Sequence, residues 1–173
     1  MRKVMIAWMT VLLVAGAAPA QRAPDPSHLI TPGASIGSVR LGMAVSDVTA
    51  LLGTPSPAQV VSEGTILPAP GGATAYYWPK SGWLVETGRT GIVVDVAVLR
   101  SARCSTVDGL HDGLTAAEVR AKWGPPSRTM GARSGNEFLV YDARGAMFLV
   151  SRNASSASYG KVLRVDVFKP RTP

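Results

Sequence analysis

The chain has 173 residues, eighteen basic against eleven acidic side chains, a formal net charge of +7, one cysteine and two histidines. That length suits one domain or two very small ones. A lone cysteine excludes a disulfide-stapled scaffold, and two distant histidines with that cysteine give no recognisable metal-ligand spacing, so neither metal nor cofactor is expected.

In chain order, Arg2 and Lys3 precede an apolar run from Val4 to Ala17 and the small-residue end Ala18-Pro19-Ala20. This is the three-part form of a secretory signal peptide, with cleavage expected before Gln21. The run is shorter than the roughly 20 residues of a membrane span, and no cysteine stands at the cleavage site to take a lipid. The expected location is the bacterial periplasm or the extracellular space. The remaining 153 residues carry a net charge of +5. Residues 21–99 hold four basic and five acidic groups, residues 100–173 twelve and six. The simplest reading of that excess is charge that keeps the protein soluble; the alternative is contact of the second half with an anionic envelope surface, and no nucleic acid is expected.

Residues 21–35, QRAPDPSHLITPGAS, lack apolar periodicity and predict a flexible lead-in, with structure starting near Ile36. From there the chain repeats itself. Residues 36–56 laid on 107–127 match Gly42 with Gly113, Val48 with Val119, Gly53 with Gly124 and Pro55 with Pro126. Thr115 and Glu118 form a capping box, Gly124 can close the helix and Pro126 prevents its resumption. Ala44 stands where the first copy would need a capping hydroxyl, so that helix start is weaker. Trp78 to Gly82 and Tyr141 to Gly145 each read as the bend of a hairpin. Val94, Val96 and Val98, like Leu163, Val165 and Val167, fall on one strand face. The expected fold is α+β, with two tandem repeats over 36–102 and 105–170, each a short helix pair packed on a small antiparallel sheet.

The phrase Gly113-Leu-Thr-x-x-Glu-Val-x-x-x-Trp-Gly-x-Pro126, echoed from Gly42 to Pro55, resembles the signature of the SmpA/OmlA (BamE-like) domain family. Two such units in an exported chain are also similar to the β-lactamase inhibitor protein (BLIP-like) fold. The resemblance covers residues 36–168 and implies a non-enzymatic protein whose sheet or helix face meets another protein. Two departures stand beside it: the lipid-accepting cysteine of the first family is missing, and Cys104 alone cannot supply the disulfides of the second.

Gly33-Ala-Ser35-Ile-Gly37 matches the G-x-S-x-G serine elbow in letters, but a Pro-rich stretch leads in where a strand should. A triad there would have to recruit His28 or His111. Asp47 and Glu118 occupy equivalent positions and are each explained by the positive end of a helix. Asn153-Ala-Ser155 matches a glycosylation sequon relevant only to a eukaryotic route. Cys104 reads as a buried small hydrophobe or as a thiol open to another chain.

Tyr76, Tyr77, Trp78 and Trp83 flank the first hairpin, and alternation sends Tyr77 to the face opposite Trp78. Binding interfaces favour Tyr, Trp and Arg, so the binding candidates are Tyr77, Trp78, Trp83 and, in the second copy, Tyr141 with Arg144. No catalytic residue is assigned. The expected role is an exported protein-binding module, acting on an envelope protein in assembly or maintenance. The alternative is a secreted inhibitor of an extracellular enzyme, with a small serine hydrolase using Ser35 as the remote one.

Overall fold

A computed structural model describes residues 26–57, 59–61, 73–99, 103–132 and 134–171. The signal peptide expected over residues 1–20 lies outside them. The dominant feature is one eight-stranded antiparallel sheet, and its long strands follow from alternating β-branched and aromatic residues. The first half contributes β4 (Gln59–Val61), β5 (Ala73–Trp78), β6 (Trp83–Thr87) and β7 (Val93–Leu99). The second half contributes β9 (Arg128–Gly131), β10 (Glu137–Tyr141), β11 (Ala146–Val150) and β12 (Val162–Phe168). Their order across the sheet is β4-β5-β6-β7-β12-β11-β10-β9, so β7 and β12 form the seam between halves. A second sheet of very short strands, β1 (Leu29–Thr31), β2 (Ser35–Ile36), β3 (Val39–Arg40) and β8 (Ser105–Thr106), has the order β3-β2-β1-β8. Here β1 runs parallel to β8 and ties the start of the described chain to the start of its second half.

Register divides the large sheet into two chemically distinct faces. Directly opposed residues share a face, and one row runs Trp78, Trp83, Val98, Val165, Phe148, Leu139 across six strands. All six are buried. The adjacent row on the other face runs Tyr77, Leu84, Ala97, Asp166, Met147, Val140, Arg128. Onto the first face pack Val48 of helix α1 (Val45–Leu52), Val119 and Trp123 of helix α2 (Ala116–Trp123), and Ile30, Ile36 and Val39 of the small sheet, in one core cluster. Each fully buried Val, Ile or Phe there contributes about 1.5–3 kcal/mol.

The two helices have the same length and lie 71 residues apart, but their starts differ. Thr115 caps α2 by accepting from the Glu118 amide at 3.2 Å, while Glu118 accepts from the Thr115 amide at 2.7 Å. Ala44 offers α1 no side-chain cap. Both helices stop at a glycine with positive φ, Gly53 at 82° and Gly124 at 77°. Equivalent backbone bonds then seat each helix on the sheet: Gly42 N–H to Val93 O at 2.9 Å, and Gly113 N–H to Val162 O at 2.8 Å.

The expected α+β fold of two tandem helix-pair units is corrected by this architecture. Among the described residues the molecule is mostly β-sheet, each half has a single α-helix, and the long strands of both halves form one continuous sheet beside a separate small one. Where the first helix of each pair was expected, the chain makes tight turns. Ile36 and Val39 are three apart, a spacing shared by one helix face and by the flanks of a two-residue hairpin. They pair directly across the Gly37-Ser38 turn, where Gly37 has φ 51° and an added Cβ would lie 2.2 Å from the Ser27 carbonyl. Order also begins before Ile36, because Ile30 inserts into the core and is 1% exposed.

The unequal caps give a paired stability test. Thr115→Ala is expected to cost about 1 kcal/mol and Ala44→Ser to gain about as much, in a helix whose cap position is otherwise alike. Chemical denaturation of both variants checks this, and equal changes in the same direction would contradict it.

Candidate functional site

The five expected binding residues fall into two groups. Trp78, Trp83 and Tyr141 are buried at 4%, 7% and 4% exposure and belong to the core cluster. The polar tips of Trp78 and Tyr141 have structural work there. The Trp78 indole donates to the carbonyl of Gly53 at 2.8 Å, and the Tyr141 hydroxyl donates to the carbonyl of Gly124 at 3.0 Å. Each aromatic thus satisfies the exposed carbonyl end of its own half's helix, where backbone acceptors lack partners. Tyr141 also stacks edge-on with Trp123 and Phe148 at centroid distances of 5.2 and 5.9 Å. Burial raises its phenol above the usual range.

Tyr77 and Arg144 remain at the surface. Tyr77 is 37% exposed and opens the row on the face away from the helices. Arg144 lies over the Trp123 ring, 4.7 Å from its centroid, a cation–π contact that fixes the guanidinium beside α2. The structure therefore does not bring these five residues together.

Sequence reasoning missed a charge cluster on the Tyr77 face. Glu86, Asp95 and Asp166 are buried at 2%, 1% and 0% exposure, and the Arg164 side chain is 12% exposed. Glu86 stands directly opposite Asp95. Arg164 Nε donates to Asp166 Oδ2 at 2.9 Å, and its Nη2 lies 2.7 Å from Oδ1 as an ion pair without hydrogen-bond geometry. Neither carboxylate oxygen of Asp95 has a hydrogen-bond partner among the described residues. Next to this cluster lie Phe138, Val140, Met147 and Phe168, a second apolar group to which no described helix contributes. The readable signal was the alternation itself: Val94-Asp-Val96 and Arg164-Val-Asp-Val167 place charge on every second position, a pattern that ordinarily means a solvated face.

Burial, reinforced by Asp166 and Glu86, raises the Asp95 carboxyl well above its usual range. Burial likewise lifts Asp166 to about 6, against the opposing pull of Arg164. A carboxyl raised in the folded state binds its proton more tightly there than in the unfolded chain, whose carboxyls titrate near about 3.9. Its stabilising contribution is complete below that value and is lost as pH rises through the folded value. The melting temperature is therefore expected to fall as pH rises from about 4 through 6. Asp95→Asn should raise it at neutral pH and flatten the slope; thermal melts across that window check both.

The other chemistry-bearing residues lie in and around the small sheet. Ser35 lies in β2, paired with Thr31 on one side and Arg40 on the other, not on a strand-to-helix elbow. Cys104 Sγ is 3.9 Å from His28 Nδ1, beside a cleft of about 340 Å³ that also meets His111 and Asp112. Burial and the Asp112 charge push this thiol up to about 12, so it is protonated at neutral pH and poorly nucleophilic. The thiol is 2% exposed. Among the described residues no group of three or more His, Cys, Asp or Glu could hold a metal ion. In the turn before α2, burial raises Asp108, but hydrogen bonds from Thr106 and from the Trp123 indole, the latter at 2.6 Å, outweigh it and hold the carboxyl low. Asp108 thereby clamps the small sheet to α2.

The basic second half is partly neutralised within itself, with Arg128 bound to Asp142 and Arg152 to Glu137. No described helix is long and apolar enough to cross a membrane.

No family model matches the chain, and no curated protein does either. A solved cysteine-rich secretory protein from Staphylococcus aureus subsp. aureus Mu50 aligns with a TM-score of 0.45 and 18% identity, over 83% of this chain and 49% of that one. The chain thus spans about half the length of that protein. The resemblance to the SmpA/OmlA (BamE-like) family and the BLIP-like fold is corrected: no family model supports it, and the described residues form one continuous sheet in place of the two helix-pair units it implied.

Proposed function

We propose that this chain is an exported, non-enzymatic module that binds another protein through the Tyr77–Leu84 end of the sheet face opposite its helices. The observation that carries the reading is Tyr77, an exposed aromatic that heads the cross-strand row on that face. Leu84, half-buried, stands directly opposite it. Both helices and the small sheet contribute to the core cluster of the other face. An aromatic and an aliphatic side chain rimmed by charge is the composition of a protein contact, where Tyr carries large area at low entropic cost. The partner class, an envelope protein or an extracellular enzyme, follows from the export signal expected at residues 1–20.

The test is affinity capture with residues 21–173 from the envelope and culture medium of the source cell, followed by affinity measurement on the purified partner. Tyr77→Ala is expected to weaken binding about tenfold or more, while Leu51→Ala, on the exposed side of α1, leaves it unchanged. Equal loss with both variants, or with neither, would remove the sheet face from the interface. The partner's identity separates an assembly role from inhibition.

A further inference from the structure

We propose that the cleft between β3, the start of β7 and the segment after β12 binds a small amphiphilic anion, a carboxylate carrying a short apolar chain. This rests on a site separate from the Tyr77 face. The cleft encloses about 500 Å³ and is lined by Gly33, Leu41, Gly42, Val93, Val94, Lys169 and Arg171, a volume within the range of about 300–1,000 Å³ typical of small-molecule sites. Apolar side chains form its wall, and two exposed cations stand at its mouth. Neither the Lys169 nor the Arg171 side chain makes an ion pair or hydrogen bond among the described residues. The nearby Asp142 carboxylate is engaged by Arg128 at 3.0 and 3.2 Å, and Asp95, beside Val94 in sequence, points its side chain to the opposite face of the sheet.

The cations sit on a fastened backbone. Arg171 N–H donates to Asp142 O at 3.0 Å, Phe168 N–H to Gly145 O at 2.9 Å, and Gly33 N–H to the same Gly145 carbonyl at 3.1 Å. Pro170 packs so closely on Gly33 that an added Cβ would lie 2.6 Å from its ring. The opposite wall is held by the Gly42 N–H to Val93 O and Val93 N–H to Met43 O bonds, both 2.9 Å. A head group entering between Lys169 and Arg171 therefore meets charges whose main chain is already ordered, which lowers the entropic cost of binding.

The 71-residue offset supplies an internal contrast. Gly33 and Leu41 correspond to Cys104 and Asp112, and those two residues line the 340 Å³ cleft of the second half. The same backbone place thus carries an aliphatic wall in one half and a carboxylate in the other. Only the first suits an apolar chain with an anionic head.

Titration of residues 21–173 with butyrate, hexanoate and octanoate, followed by backbone amide NMR shifts, tests the proposal. Saturable shifts are expected at Val93 and Val94 and not at Cys104 or His111, with affinity rising about fourfold per added methylene. Octanamide, which lacks the charge, should bind at least about tenfold more weakly, as should octanoate to the Lys169→Gln/Arg171→Gln double variant. Those two side chains are exposed, so the double variant tests charge without disturbing the core. Leu41→Asp, which installs the second half's residue, should abolish binding in protein whose melt remains cooperative. Absence of saturable shifts up to about 1 mM octanoate, or binding indifferent to both the double variant and the amide, would overturn the proposal. Because these outcomes leave Tyr77 untouched, loss of the protein partner and loss of the anion report on different sites.

Discussion

The pairing of β7 with β12 is the constraint on which the rest depends. Five opposed residue pairs, from Arg164 with Leu99 to Phe168 with Asp95, join the last strand of each half into one sheet. Without that seam each half would present an unpaired inner edge, a template for association with other chains. With it, the remaining edges are the short strands β4 and β9. The seam also places Val96 and Val98 beside Val165 and Val167, so that the apolar surfaces under both helices merge into one core. A unit of about 65 residues alone would bury too small a fraction of its surface to be secure.

That merger explains why helix ends and strand aromatics are linked. A short helix contributes little stability by itself, and its last carbonyls need partners. Trp78 and Tyr141 supply them from equivalent strands, so each aromatic both fills the core and holds its helix at a fixed height above the sheet. The same requirement accounts for their burial: an indole or phenol that must reach a capping glycine's carbonyl cannot also project from the other face. Trp83, directly opposite Trp78, belongs to the same row and faces the same way.

Much of this was legible in the sequence, and the failures have identifiable causes. The capping residues Thr115 and Glu118 and the stop glycines are local signals, and local signals locate helices well. The expected helix pairs failed because an apolar spacing of three residues does not distinguish a helix turn from a tight hairpin; Gly37 and the β1 pairing decide it, and β1 meets β8 only through a contact between distant parts of the chain. Continuity of the sheet was likewise invisible, since nothing local in Val93–Leu99 or Val162–Phe168 says that they pair with each other. At the candidate site, alternation distinguished Tyr77 from Trp78, whereas the indole's hydrogen bond to Gly53 is a tertiary fact. The burial of the charged positions in β7 and β12 could not be read, because a period of two reveals which residues share a face and not what environment that face meets.

Placing Glu86, Asp95, Asp166 and Arg164 together and out of water on one face has an energetic consequence. Buried like charges directly opposite each other destabilise a strand pair, and a buried ion pair such as Arg164 with Asp166 is often no more stable than the apolar residues that could replace it. A sheet shaped by stability alone would carry Val or Leu at these positions, as the helix face does. The charge cluster instead sits where its residues are already removed from water, so its cost falls on folding. Asp95, whose oxygens have no hydrogen-bond partner among the described residues, adds an unsatisfied buried group to that cost.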